Sequence, residues 1–159
     1  MANILLVEDN EMNRDMLCRR LERRGFSVSL AVDGRQGLEK AKEEQPGVIL
    51  LDIGLPVMDG WEAIEKLKQM DDTRDIPVIA LTAHAMVGDK ERAIAAGFDD
   101  YCMWTGYEGN NPPSGERYWN PYLHTKAGSK TYPKQFGGDV FTDFLIDFMK
   151  RHRDEPLLM

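Results

Sequence analysis

Two apolar runs of this chain end in carboxylates: Ile4-Leu5-Leu6-Val7 is followed by Glu8 and Asp9, and Val48-Ile49-Leu50-Leu51 closes on Asp52. If both runs are strands of one open parallel sheet, their carboxyl ends form the ligand crevice, and three carboxylates converge there. Converged carboxylates repel one another and need a cation. With no histidine or cysteine beside them, oxygen-only ligation suits a hard ion such as Mg2+, which keeps waters and bridges carboxylate to phosphate. Any one of these acids, taken alone, reads as a solvated loop residue; three at two strand ends read as phosphoryl chemistry. Asp52 is then the candidate nucleophile, because a carboxylate can attack a phosphohistidine and hold the phosphoryl group as a mixed anhydride. Thr82 ends a third apolar run, Val78-Ile79-Ala80-Leu81. Its hydroxyl can donate to a phosphoryl oxygen, and it is also the kind of β-branched residue that simply finishes a strand.

The elements that must position these groups follow from periodicity. Short apolar or β-rich runs at 3–7, 26–31, 47–51, 77–82 and 100–104 alternate with segments of helical period, the pattern of an α/β parallel sheet. A first helix begins near Asn10 or Glu11 and stops at Gly25; Asp33 caps a helix to about Glu44 and Asp59 one to about Met70, while a fourth runs from about Gly88 to Gly97. Residues 1–104 thus form a domain core. From 105 to 138, Gly, Pro, Asn, Tyr and Trp dominate without a sustained period, and an irregular loop segment is expected. Residues 139–153 resume a helical stripe of Val140, Phe141, Phe144, Leu145, Phe148 and Met149, and 154–159 form a tail.

Composition narrows the options. With 159 residues the chain holds one domain and a short appendage; 42% hydrophobic and 30% charged residues are those of a soluble globular protein. No apolar stretch approaches the roughly 18 residues needed for a bilayer span, and the N-terminus has no basic region of a signal peptide, so a cytoplasmic protein without membrane partners is expected. A net charge of -7 argues against a nucleic-acid surface. Cys18 and Cys102 have no metal-ligand spacing and read as free, packed thiols.

The motifs LLVEDN (5–10), LLDIGLPVMDG (50–60) and ALTA (80–83), in this order, resemble the receiver domain of two-component response regulators over about residues 1–103. The resemblance implies a doubly wound, five-stranded parallel sheet of flavodoxin-like order 2-1-3-4-5. It implies Asp52 as phosphoacceptor, Asp9 and Asp52 as direct Mg2+ ligands, the backbone carbonyl of Gly54 as a third, and Glu8 acting through bound water. Thr82 and Tyr101 correspond to the family's switch pair, although Tyr101 also reads as a core tyrosine with a satisfied hydroxyl. The implied partners are a histidine kinase or phosphotransfer protein, with output by docking through the fourth helix, fifth strand and fifth helix. At most self-phosphorylation and self-dephosphorylation would occur, so no separate enzyme activity is expected. The helix at 139–153 would replace the usual fifth helix. One position departs: Trp104 stands where the family carries a lysine that pairs with the aspartate and its phosphoryl group. Lys126, Lys130 or Lys134 would have to reach back to replace it. His84, two positions beyond Thr82, falls where receivers tune phosphoryl loss, or is an exposed loop residue.

Residues of about 97–159 are also similar to an interior piece of arylsulfatase-like proteins, through Gly97–Gly106, ERYWNPYLHTKAGSKTY (116–132) and DVFTDFLIDFMKRHRDEP (139–156). That family's Cys-x-Pro or Ala-x-Arg nucleophile motif is matched neither at Cys18 nor at Cys102, which leaves a hydrolase fragment as a remote reading. Two readings remain ahead of it: a phosphoaccepting receiver that signals by protein docking, and a receiver-derived binding module that no longer switches. In the second, the replaced C-terminal portion forms a new interface or a swapped homodimer.

Overall fold

The structure is a computed structural model that describes residues 3–82, 88–105, 122–132, 134–135 and 137–152. Five parallel strands form its centre: β1 (Asn3–Val7), β2 (Ser27–Ala31), β3 (Val48–Asp52), β4 (Val78–Thr82) and β5 (Asp100–Thr105). Their order is 2-1-3-4-5, as expected. Between them run α1 (Glu11–Arg23), α2 (Gly34–Glu44), α3 (Gly60–Gln69) and α4 (Asp89–Ala96).

Local chemistry sets the helix boundaries. The side chains of Asn10, Asp33 and Asp59 accept from the N–H groups of Asn13, Gln36 and Glu62, at 3.0, 2.8 and 2.8 Å, satisfying donors that each first turn would otherwise leave orphaned. α4 ends at Gly97, whose φ of 103° returns its N–H to Ala93 and Ile94.

Because both sheet faces are covered, β1, β3 and β4 are buried at nearly every position. Alternate residues serve opposite cores. Leu5, Val7, Ile49, Leu51, Val78, Ala80 and Tyr101 pack beneath α2, α3 and α4; Ile4, Leu6, Val48, Leu50, Ile79, Leu81 and Cys102 pack with Leu17 and Leu21 of α1. The second core is completed by α5 (Gly137–His152), which contributes Val140, Phe141, Leu145 and Phe148. Arg20 pairs with Asp139, and Arg24 meets Asp143 at 2.9 Å, tying α1 to α5. Those pairs are largely exposed, so apolar burial carries the docking.

The segment expected to be irregular contains two further strands. β6 (Tyr122–Thr125) and β7 (Gly128–Thr131) form an antiparallel hairpin that extends the sheet to seven strands, in the order 2-1-3-4-5-6-7. Its two-residue turn, Lys126-Ala127, lacks the Asn-Gly or Asp-Gly signature of tight hairpins, and the strand is fixed by pairing with β5 rather than by its own pattern. Residues 106–121 and 153–159 lie outside the described residues. Among the described residues, no helix is long and apolar enough to cross a membrane.

Candidate functional site

β1 and β3 are neighbours, with Val7 paired to Leu51, so Glu8 emerges level with Asp52. Oxygen atoms of Glu8, Asp9 and Asp52 all lie within 4.8 Å of one another. The convergence inferred from the sequence is therefore present.

The three acids differ in setting. Glu8 is 6% exposed, Asp9 is exposed, and Asp52 is half-buried. Burial, reinforced by the nearby Asp52 and Asp9 carboxylates, pushes the Glu8 carboxyl up to about 7, against the opposing N–H of Asn10, which donates to Oε1 at 3.0 Å. Negative charge is thus concentrated at this end of the sheet. Arg14 donates to the carbonyls of Glu8 and Asp9 at 2.9 and 3.1 Å, which orients this turn without directing a cation at the carboxylates.

Asp52 Oδ1 accepts from the Gly54 N–H at 3.1 Å, so the side chain is braced by the loop that follows it. That loop doubles back sharply. Met58 N–H donates to the Pro56 carbonyl at 2.7 Å around Val57, whose φ is 66°, and Gly60 N–H donates to the Ile53 carbonyl at 2.9 Å. A Cβ at Gly60 would lie 2.4 Å from the Asp52 carbonyl oxygen, so only glycine lets α3 start this close to the site.

Thr82 ends β4, one residue beyond the Leu81 that pairs with Asp52. It is half-buried at the same end of the sheet. Beside it on β5 is Met103, then Trp104, whose backbone pairs with Leu123 of β6. The lysine position is thus at the carboxyl end of the sheet.

Two of the tail lysines are engaged elsewhere. Lys126 Nζ donates to the Asp99 carbonyl at 3.3 Å, at the opposite end of β5. Lys130 sits on β7, four strand spacings from β3, about 19 Å at roughly 4.8 Å each. Its Nζ lies 5.1 Å from the centre of the Tyr132 ring. Lys134 follows β7 in a left-handed turn, with φ 60°.

Tyr101 points into the core, only 2% exposed, and its hydroxyl donates to the Thr125 carbonyl at 2.7 Å. Burial raises the phenol's pKa, and the Lys90 ammonium opposes that shift. In this state it is a core tyrosine with a satisfied hydroxyl. Trp61 packs edge-on against Phe98 at 6.0 Å, with Arg92 4.1 Å over its ring. Ala83 and His84 lie outside the described residues.

Val57 and Gly60 lie in the LLDIGLPVMDG motif (50–60) already singled out after Asp52, although the sequence assigned them no separate role. Arg14 was missed, because it acts through backbone carbonyls and left no signal.

The response regulator receiver domain profile matches residues 4–103 of the chain. The chain belongs to the response regulator receiver family. This receiver is 40% identical over 99 residues to the polar-differentiation response regulator DivK of Brucella anthropi, covering 62% of this chain and 80% of that one. It is 39% identical over 126 residues to the signal transduction histidine-protein kinase BarA of Shigella flexneri, covering 79% of this chain but spanning only 13% of the kinase. Among solved structures it resembles the receiver domain of sensor histidine kinase PA1611 from Pseudomonas aeruginosa PAO1, described with a magnesium ion coordinated in the active site cleft. That likeness has a TM-score of 0.60 and 39% identity, over 64% of this chain and 84% of that one. Receivers therefore occur both as separate regulators and inside kinases.

Proposed function

We propose that this receiver accepts a phosphoryl group on Asp52 in a Mg2+-dependent reaction and signals by docking to other proteins. The observation that carries the reading is the approach of Glu8, Asp9 and Asp52 oxygens to within 4.8 Å at adjacent strand ends. The donor set fits the cation: all ligands are oxygen, and burial together with the neighbouring Asp52 and Asp9 carboxylates raises the Glu8 carboxyl. Asp9 and Asp52 would hold the ion directly, with the Gly54 carbonyl as a third protein ligand and Glu8 acting through water. When bound, Mg2+ supplies neutralisation of the charge that spreads over the phosphoryl oxygens.

The chain's own residues supply the rest. An Asp52 carboxylate oxygen attacks phosphorus of a phosphohistidine; the new O–P bond forms as the N–P bond breaks, and the imidazole leaves. The Gly54 N–H holds Asp52 in place, and the Thr82 hydroxyl donates to a phosphoryl oxygen. The phosphodonor is a histidine kinase or phosphotransfer protein. Met12 and Val57, 80% and 82% exposed on the segments that follow β1 and β3, offer apolar surface beside the crevice for such a partner. The setting in this reading is cytoplasmic. The tail's likeness to arylsulfatase-like proteins concerns its origin and adds no hydrolysis.

The test is incubation with acetyl phosphate and Mg2+, followed by intact mass. Wild type gains one phosphoryl group and Asp52→Asn gains none. An unchanged wild-type mass ends the phosphoacceptor reading.

Trp104 favours a second reading, a receiver-derived binding module that binds Mg2+ but no longer switches. Indole carries no positive charge to pair with a phosphoryl group, and neither Lys126 nor Lys130 stands in for it.

A further inference from the structure

A strand order of 2-1-3-4-5 leaves β5 at the sheet edge, with a row of unpaired N–H and C=O groups that would template pairing with another chain. In this protein that row is already taken. β6 pairs with it from Cys102, opposite Thr125, to Thr105, opposite Tyr122.

Two side chains of β5 are also bound to the hairpin. Tyr101, buried beneath α4, donates its hydroxyl to the Thr125 carbonyl at 2.7 Å. Asp100, only 5% exposed, accepts from the Lys126 N–H at 3.0 Å and the Tyr101 N–H at 2.8 Å. A buried carboxylate stripped of one of these donors is destabilised, so the hairpin satisfies a polar group that the five-stranded sheet alone leaves short. The contacts are specific, and both run through hairpin backbone.

We propose that residues 122–131 are a tethered occupant of the receiver's own output face: they fill the β5 edge and, through the Thr125 carbonyl, hold Tyr101 in its buried position. The inference rests on reading the chain as a receiver that docks partners through α4, β5 and α5. The occupant is this chain's own strand, so an outside partner gains β5 only after the hairpin leaves, and its departure frees the Tyr101 hydroxyl in the same step.

The full chain is tested without any phosphodonor, by nitration of Tyr101 with tetranitromethane and by amide hydrogen exchange. Thr125→Pro, which disrupts β6 pairing, raises Tyr101 nitration about tenfold or more, whereas Thr125→Ala, which keeps the carbonyl, stays within about twofold of wild type. Tyr101→Phe speeds exchange of the 122–126 amides about tenfold, the weight of one hydrogen bond. Nitration of Thr125→Pro at the wild-type rate overturns the proposal, as does unchanged β6 exchange in Tyr101→Phe. If exchange across β1 and β3 shows Thr125→Pro to be unfolded, the Tyr101→Phe result decides alone. Failure of the receiver reading is separate: it appears as absent phosphoryl gain in wild type and leaves these ratios untouched.

Discussion

At the carboxyl ends of β1 and β3 the chain assembles a dense acidic cluster from residues next to the strands that carry them, whereas the carboxyl end of β5 carries Trp104 and runs into a segment that returns as a hairpin. The first region needs only the pairing of two adjacent strands. The second depends on chain that arrives 17 residues after Thr105 and seals the edge. The contrast separates two capacities that receivers normally combine: binding the cation and phosphoryl group, and transmitting their presence. The proposed chemistry is written into the first region and the proposed output into the second.

The largest expected effect asks whether the second region is an ornament or part of the folded unit. Phe148 of α5 is 1% exposed in the same core as Leu50 and Leu81, so Phe148→Ala should cost about 4 kcal/mol, as truncation of a buried aromatic does. Urea denaturation of that variant beside Leu50→Ala should give comparable losses in single transitions. A cost below about 1 kcal/mol for Phe148→Ala alone would mean that α5 is only loosely attached.

Next in size is a pH effect confined to the first region. Glu8 is raised from 4.5 to about 7, so between those values the folded protein holds a proton that the unfolded chain releases. Its contribution is therefore complete below about 4.5 and is lost as pH rises through 7, by about 3 kcal/mol at 1.36 kcal/mol per unit. Without Mg2+, the stability difference between wild type and Glu8→Gln should shift by that amount across the window, and added Mg2+ should flatten it. A difference that stays constant with pH would show that neither burial nor the acidic neighbours hold the Glu8 proton.

What was legible in the sequence follows the same division. Asn10, Asp33 and Asp59 announce their helices because a cap is a contact over three residues. The acid cluster was readable because apolar runs reveal strands, and parallel strands in a doubly wound sheet present their carboxyl ends together. The α5 stripe was read from Val140 to Met149, as its apolar face demanded. The hairpin was not, since Lys126-Ala127 is an uninformative turn and β6 is selected by an open edge elsewhere in the chain. Nor could any pattern reveal that the Tyr101 hydroxyl, 24 residues from Thr125, would meet a backbone carbonyl.

Trp104→Lys probes the missing link between the two regions. Its backbone lies one residue past the Met103 that pairs with Thr82, so a lysine there starts at the correct end of the sheet. A fixed cation aimed at developing phosphoryl charge should speed Asp52 phosphorylation by about tenfold, a modest share of what one preorganised charge contributes in other sites. Intact-mass time courses with acetyl phosphate provide the measurement. Equal rates in both proteins would show that residue 104 does not limit phosphorylation.

The smallest effect lies within the intact region, at Val57. A β-branched residue at φ 66° occupies a left-handed conformation that costs about 1 to 2 kcal/mol, and its side chain is 82% exposed, so little packing repays the strain. Val57→Gly relieves that strain while giving the unfolded chain more freedom, which offsets part of the gain. The net expectation is stabilisation by about 0.5 kcal/mol in urea titration, with phosphoryl acceptance by Asp52 retained. Destabilisation would instead mean that the turn is held open by what Val57 touches. In that case the loop bracing Asp52 owes its shape to packing, and the acidic site would share the dependence on remote contacts that distinguishes β5.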